Sequence, residues 1–131
     1  MSRIVSRLAA GRILNPTGAR SQALGSIVFG LSMALHEAVL WDPVLGRQVS
    51  ASPTDYHIAG GPDVPEALDI GFVEENDALV NELSAKGVAE LGLVGFAGAV
   101  ANAVWDATGR RVRQVPITPA LLLLVPTGAN R

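Results

Sequence analysis

The stretch SAKGVAELGLVGFAGAVANAVWDATG, residues 84–109, combines a tight loop that ends at a carboxylate with a long run of mostly small, apolar residues. Its pattern predicts a helix over residues 91–107 that ends at Gly109. Glycine in a helix interior costs roughly 1 kcal/mol relative to alanine, so the repeated glycines indicate close packing against another element. The loop before this helix places Glu90 at the helix start.

A second long helix is predicted over residues 22–40, where leucine, isoleucine and valine recur at spacings of three and four. Asn15-Pro16 is a typical helix start, with asparagine as the N-cap and proline at the first helical position. Gly25 and Gly30 lie inside this helix and again predict a closely packed neighbour.

The other segments predict short strands and turns. Residues 3–14, 67–74 and 111–117 favour strands. Residues 41–47 favour a hairpin turn, and a last short helix is predicted over residues 120–124. The predicted fold class is therefore α+β, with two main helices packed with short strands and a hairpin.

Length and composition exclude several classes of protein. The 131 residues fit one domain, and 49% hydrophobic against 17% charged residues argues against a disordered chain. A formal net charge of −2 gives no electrostatic basis for binding nucleic acid. The sequence has no cysteine, which excludes disulfides, thiolate metal sites and cysteine-ligated iron–sulfur clusters in this chain.

The sequence predicts neither a signal peptide nor a membrane-spanning helix. Arg7 and Arg12 interrupt the N-terminal apolar stretch, which is untypical of a signal peptide. The longest charge-free run, residues 91–105, is shorter than the roughly 18 to 20 residues that span a bilayer. We therefore expect a cytoplasmic protein with no membrane partner.

Two sets of residues could carry chemistry. Two histidines and two carboxylates have a spacing that matches no zinc motif, which favours ordinary structural roles. They are His36, Glu37, Asp55 and His57. Glu90 has a structural explanation, because a carboxylate at a helix start interacts favourably with the helix dipole. If it were buried, desolvation could instead raise its pKa enough for it to act as a general base.

Short blocks in a specific order, extending over residues 3–124, resemble a known family. The blocks are Gly11–Pro16, Gln22, Gly25, Gly30, Ala34–Leu35, Glu37, Asp42, Gly46–Arg47, Asp55–His57, Asp63–Pro65, Lys86–Gly92, Ala101–Val104, Ala107–Arg113 and Pro116–Thr118. Together they resemble the C-terminal part of the molybdopterin-binding (large) subunit of the xanthine dehydrogenase/aldehyde oxidase family. This makes residues 1–131 a single partial domain of a molybdenum cofactor-binding domain.

The resemblance implies a reaction and a site. The family hydroxylates aldehydes or N-heterocycles with oxygen derived from water, and a loop glutamate takes a proton from the molybdenum-bound hydroxyl. Glu90 matches that glutamate and is the implied general base. Gln22 matches a glutamine that hydrogen-bonds the pterin, and no residue is implied as a direct metal ligand. The backbone implied to lie against the cofactor belongs to Lys86, Gly87, Val88 and Ala89.

The loop departs from the family pattern at two positions. Ser84 and Ala89 stand where the family usually has glycine. If residue 89 needs a positive φ, alanine there strains the loop and displaces Glu90.

The resemblance also implies a cofactor and partners. The family's large subunit runs to several hundred residues, so this chain would supply one wall of the site and the remainder of the subunit the rest. The implied cofactor is molybdopterin, in its cytosine dinucleotide form. The other implied partners are subunits carrying [2Fe–2S] clusters and FAD, and a small-molecule substrate. A periplasmic location is the alternative if a partner carries the export signal.

Two functions stay open. The chain is either part of a molybdenum hydroxylase, too short to be active alone, or a non-catalytic truncated remnant or interaction module of that family. The second function predicts exposed apolar surface and a tendency to oligomerise.

Overall fold

A computed structural model describes residues 1–124 of the chain. Two parallel strands and two long helical segments form the fold, with a small hairpin and a short helix added. The elements are β1 (Arg3–Leu8), α1 (Pro16–Leu35), β2 (Trp41–Asp42), β3 (Arg47–Gln48), β4 (Ala67–Phe72), α2 (Leu91–Val94), α3 (Phe96–Thr108) and α4 (Pro119–Leu124). The predicted α+β class, with its two main helices, short strands and hairpin, is confirmed.

The two longer strands pair in parallel, from Arg3 opposite Ala67 to Leu8 opposite Phe72. Parallel strands need a long crossover connection, and α1 with the hairpin supplies it. Buried residues of both strands join the helices in one core. Its members are Leu8, Ala23, Ile27, Leu31, Ala34, Ile70, Phe96, Val100, Val112 and Ile117.

Two glycines allow the helices to approach closely, as predicted. A Cβ on Gly30 would lie 2.6 Å from the Phe96 Cβ, and one on Gly92 would lie 2.4 Å from the Ser26 Oγ. Three other glycines of these helices have no atom within 4 Å of an added Cβ: Gly25, Gly95 and Gly98. The close packing is therefore confirmed at Gly30 and Gly92, whereas these three glycines have no such neighbour in the described residues.

The N-cap and the centre of α1 were predicted correctly, but the predicted range 22–40 misses its first residues and extends beyond its last. Asn15 is the N-cap, as predicted, and its Oδ1 accepts the Gly18 N–H at 2.9 Å. Compared with the predicted range 22–40, α1 begins earlier and ends earlier. It ends earlier because the chain there enters the hairpin region, where the Leu40 carbonyl accepts the Val49 N–H at 2.7 Å.

The predicted strand over residues 111–117 is wrong, because this segment is irregular. Its apolar pattern arises instead from Val112 and Ile117, which are buried in the core. The Ile117 N–H donates to the Ala34 carbonyl at the end of α1, at 2.7 Å. Pro116 has no N–H to offer to a strand ladder.

The predicted helix over residues 91–107 is interrupted at Gly95, which separates α2 from α3. Glycine has a low helix propensity, and two glycines lie within this first part of the helix. Gly109 ends α3 as predicted, with a φ of +68° and its N–H donating to the Trp105 carbonyl.

By length and composition, α2 and α3 together could cross a membrane. The span Leu91–Thr108 has a mean hydropathy of 1.2, and 11% of it is buried in this structure. The core helices of soluble proteins pass the same test. The absence of a membrane partner therefore stays a prediction.

The predicted exposed apolar surface is confirmed for the chain by itself. Leu79 is 98% exposed, Val94 is 82% exposed and Phe29 on α1 is 67% exposed. Single exposed apolar residues are ordinary, but here they recur on most elements. A partner that covers them is the physical expectation.

Candidate functional site

The predicted site residues come from α1 and from the loop that precedes α2. An open groove of about 320 Å³ separates the two elements, and Gln22, Lys86 and Val88 line it. We call it the loop groove. The structure thus brings the predicted pterin-binding glutamine to the same groove as two residues of the predicted cofactor loop.

The other predicted site residues lie next to the loop groove without lining it. Glu90 directly precedes α2 and is exposed, and its side chain makes no hydrogen bond to a described residue. Gly87 and Ala89 are also exposed. Residues 1–124 therefore leave the Glu90 carboxylate exposed to solvent.

A short antiparallel contact holds the loop against the end of β1. Gly11 and Ala85 form an isolated bridge, and the Lys86 N–H donates to the Ala10 carbonyl at 3.0 Å. Gly11 has a φ of +64°, and a Cβ there would lie 2.3 Å from the Ser84 carbonyl oxygen. Only glycine fits this crossing point.

Asn81 organises the loop from within, and the sequence reasoning missed it. Its Oδ1 accepts the N–H groups of Leu83 and Ala85 at 3.0 and 3.2 Å. Its Nδ2 donates to the Ala85 carbonyl at 2.7 Å. The signal was available, because asparagine commonly stabilises turns by bonding the backbone a few residues ahead.

The expected strain at Ala89 is absent, and the strained residue is Ser84. Ser84 has a φ of 54° and is the only non-glycine residue with positive φ in the described chain. It occupies the other position at which the family usually has glycine. The departure at residue 89 therefore leaves Glu90 undistorted, and the departure at residue 84 carries the conformational cost.

We expect Ser84→Gly to stabilise the chain by about 0.5–1 kcal/mol, because glycine adopts a positive φ without strain. The greater entropy that glycine loses on folding offsets part of this gain. The free energy of unfolding in urea measures this change. The matched control is Ser21→Gly, at an exposed position inside α1, which should cost about 0.5 kcal/mol. A loss of stability in Ser84→Gly would contradict the assignment of strain.

The only lysine, Lys86, ties the loop to an acidic segment after β4. Its Nζ donates to Glu75 Oε1 and lies 3.3 Å from Asp77 Oδ2. The bond to Glu75 raises the pKa of Lys86. The Leu79 N–H, and then the Lys86 ammonium, lower the pKa of Asp77. The Lys86 side chain is therefore engaged within this chain, as is its backbone N–H, which donates to the Ala10 carbonyl.

Asp77 should stabilise the chain only where it is ionised. Its pKa is lowered in the folded chain, so the contribution is complete above the ordinary value of 3.8 and is lost as pH falls through the lower folded value. We expect Asp77→Asn to lower the urea midpoint at pH 6 and to lower it less at pH 2. Glu66→Gln, at an exposed position, should show no such difference between the two pH values. Equal loss at both pH values would contradict the ion pair's role.

The backbone of residues 87–90 fits a cofactor rich in oxygen and nitrogen acceptors. Within the described residues, none of these four N–H groups donates a hydrogen bond to the protein. An added Cβ on Gly87 would meet no atom within 4 Å. Successive free N–H groups beside a bare glycine are a common way to bind a phosphate or other acceptor group.

No direct metal site is found among residues 1–124. His36 lies 3.8 Å from Asp63. Glu37 accepts the Tyr56 hydroxyl at 2.7 Å. The histidines and carboxylates considered from the sequence therefore do not form a cluster of three or more ligands in the described chain.

Comparison with known proteins agrees with the sequence blocks. Residues 1–65 match the family described as molybdopterin cofactor-binding domain. The chain is 43% identical, over 121 residues and 92% of its length, to the aldehyde oxidoreductase molybdenum-binding subunit PaoC of Escherichia coli. The chain belongs to the xanthine dehydrogenase/aldehyde oxidase family. The resemblance stated from the sequence is thereby confirmed.

Two further members of the family match over almost the whole chain. The putative xanthine dehydrogenase molybdenum-binding subunit XdhA of Escherichia coli is 33% identical over 93% of this chain. The crystal structure of quinoline 2-oxidoreductase from Pseudomonas putida 86 superposes with a TM-score of 0.81 and 26% identity, over 93% of this chain. The α+β arrangement is therefore that of the family.

The chain spans about one sixth of the relatives it matches. It covers 16% of PaoC, 16% of XdhA and 16% of the quinoline 2-oxidoreductase chain. These relatives are molybdenum-binding subunits or oxidoreductases, and each is much longer than the part that matches this chain.

Proposed function

We propose that this chain forms one wall of the molybdenum cofactor site of a hydroxylase that oxidises aldehydes or N-heterocycles with oxygen derived from water. The observation that carries the proposal is the loop groove, where Gln22 of α1 faces the loop of Lys86 and Val88. The molybdenum cofactor, when bound, supplies the two-electron oxidant. The matching family and the 43% identity to PaoC support this choice of cofactor.

Each residue of the proposed site has a separate task. The Gln22 side chain hydrogen-bonds the pterin, and the free N–H groups at the Gly87 end of the loop donate to acceptor atoms of the cofactor. Lys86 holds the loop through its carboxylate partners, so that the backbone of residues 86–89 lies against the cofactor. Glu90 accepts a proton at a carboxylate oxygen from the water-derived nucleophile, which raises the reactivity of that oxygen.

The proposal includes partners that complete the site. The remainder of the molybdenum-binding subunit covers the loop groove and shields Glu90 from solvent. Electrons leave through [2Fe–2S] clusters and FAD on other subunits, and the cofactor is the cytosine dinucleotide form. A cytoplasmic location agrees with this scheme, and a periplasmic location would require export by a partner.

Complementation tests the proposed function. This chain is co-expressed with the PaoC remainder, which is PaoC lacking the 121 residues that align with this chain, together with its partner subunits. Co-expression avoids any need for either piece to fold alone. We expect oxidation of an aromatic aldehyde or an N-heterocycle with a dye acceptor only when both pieces are present. Assembly without turnover would favour the non-catalytic remnant, and absence of assembly would overturn the proposal.

A further inference from the structure

A second groove, distinct from the loop groove, lies along β1. It has a volume of about 410 Å³ and lies between β1 and the helices α2 and α3. Residues 3–8 of β1 line one side. The opposite side is formed mainly by small and apolar residues: Leu91, Gly92, Gly95, Phe96, Ala99, Val100 and Ala103. We call it the β1–α3 groove.

The edge of β1 at this groove has no neighbouring strand in the described chain. β1 pairs only with β4, and the two form a two-stranded sheet. In a parallel sheet, alternate backbone groups of a strand point to each neighbour, so half of the β1 groups are left for the open edge. A two-stranded sheet is marginal by itself, and added strands supply independent stability.

The wall of the β1–α3 groove formed by α2 and α3 leaves room for the backbone of an added segment. Gly95, Ala99 and Ala103 are exposed and recur at every fourth position of the helical segment. Phe96 and Val100 are buried beneath them. An extended segment beside β1 would therefore pack its side chains on small residues over an apolar base, at the strand spacing of about 4.8 Å from β1.

We propose that the β1–α3 groove receives a β-strand from the remainder of the molybdenum-binding subunit, which extends the β1–β4 sheet. This inference rests on the proposed function for the identity of the partner. The length of the relatives supports it, because the 121 aligned residues are 16% of PaoC. The other 84% supplies the polypeptide from which such a strand can come.

Charge argues against a second copy of this chain as the occupant. Antiparallel pairing of two β1 strands about Val5 places Arg3 of one copy opposite Arg7 of the other, and like charges directly opposite destabilise a pair. Arg7 is held by Asp69, with its Nη2 2.9 Å from Oδ2, while Arg3 is 3.5 Å from the same oxygen and its side chain is 63% exposed. A strand with a carboxylate opposite Arg3 fits the edge better.

Hydrogen exchange on the co-expressed pair tests the inference. We expect the backbone amides of residues 3–8 to exchange at least tenfold more slowly in the pair than in the chain alone. Ala99→Trp, which fills the groove at an exposed position, should reduce recovery of the PaoC remainder at least tenfold. Gly98→Trp is the matched control, because an added Cβ there meets no atom within 4 Å and Gly98 does not line the groove.

The outcomes separate this inference from the proposed function. A pair that retains molybdenum while residues 3–8 exchange as in the free chain overturns the strand and leaves the proposed function. A pair with protected residues 3–8 and no molybdenum supports the strand and overturns the function. A concentration-dependent dimer of this chain with the same protection would show that the second copy is the occupant, which overturns the inference.

Discussion

Glu90→Gln in the assembled pair should reduce turnover about 100- to 10,000-fold, the range that a positioned general base contributes. Glutamine keeps the size and can hydrogen-bond, but it cannot accept the proton. Glu90 makes no hydrogen bond to a described residue and lies on the surface. The substitution should therefore leave folding, assembly and molybdenum content unchanged, so that the loss appears in kcat.

The control is Glu82→Gln, at an exposed carboxylate of the preceding loop that makes no hydrogen bond to a described residue. It should retain wild-type turnover. A Glu90→Gln pair that retains both molybdenum and full turnover would remove Glu90 from the mechanism. The helix-dipole explanation of this carboxylate would then stand alone, with an effect on stability of at most about 1 kcal/mol.

Gly92→Ala and Gly30→Ala should each destabilise the chain by about 2–3 kcal/mol, at the upper end of typical overpacking costs. The Gly92 Cβ would contact Ser26 Oγ at 2.4 Å and Ile27 Cγ1 at 2.9 Å. The Gly30 Cβ would contact the Phe96 Cβ at 2.6 Å. None of these neighbours is the end of a long flexible side chain, so the helices themselves must move apart. Urea unfolding of the chain measures the change.

Gly98→Ala is the matched control on α3, where an added Cβ meets no atom within 4 Å. Alanine there should stabilise the helix by about 0.5–1 kcal/mol, because glycine is the poorer helix former. Changes of opposite sign in the free energy of unfolding for Gly92→Ala and Gly98→Ala would show that only the Gly92 face of this helical segment contacts α1. If neither Gly92→Ala nor Gly30→Ala lowered the free energy of unfolding, the close approach of α1 to α2 and α3 would be wrong.

Local signals in the sequence predicted much of the fold. Asn15 with its following proline fixed the start of α1, and Gly109 fixed the end of α3, because capping depends on a few neighbouring residues. The strand predicted over residues 111–117 failed because the burial of Val112 and Ile117 arises from contacts with distant elements. Apolar alternation reports burial, and an irregular segment can also bury alternate residues.

The site could be predicted only in part. The loop was found from its motif, but the motif does not reveal that Asn81 shapes it, that Ser84 carries the positive φ or that Lys86 bonds Glu75. These features depend on backbone and side-chain geometry that residue types alone leave open. Gln22 was assigned through the resemblance, and the folded chain places it at the same groove as the loop although it lies 64 positions before Lys86 in the sequence.

The molybdenum content of the assembled pair tests the central claim most directly. Gly87→Val should leave the stability of the free chain unchanged, because nothing lies within 4 Å of the added Cβ, yet it should block the cofactor and abolish bound molybdenum. Gly61→Val, whose Cβ also meets open space, should retain one molybdenum per pair. Full molybdenum content in Gly87→Val would contradict the claim that this loop forms a wall of the cofactor site.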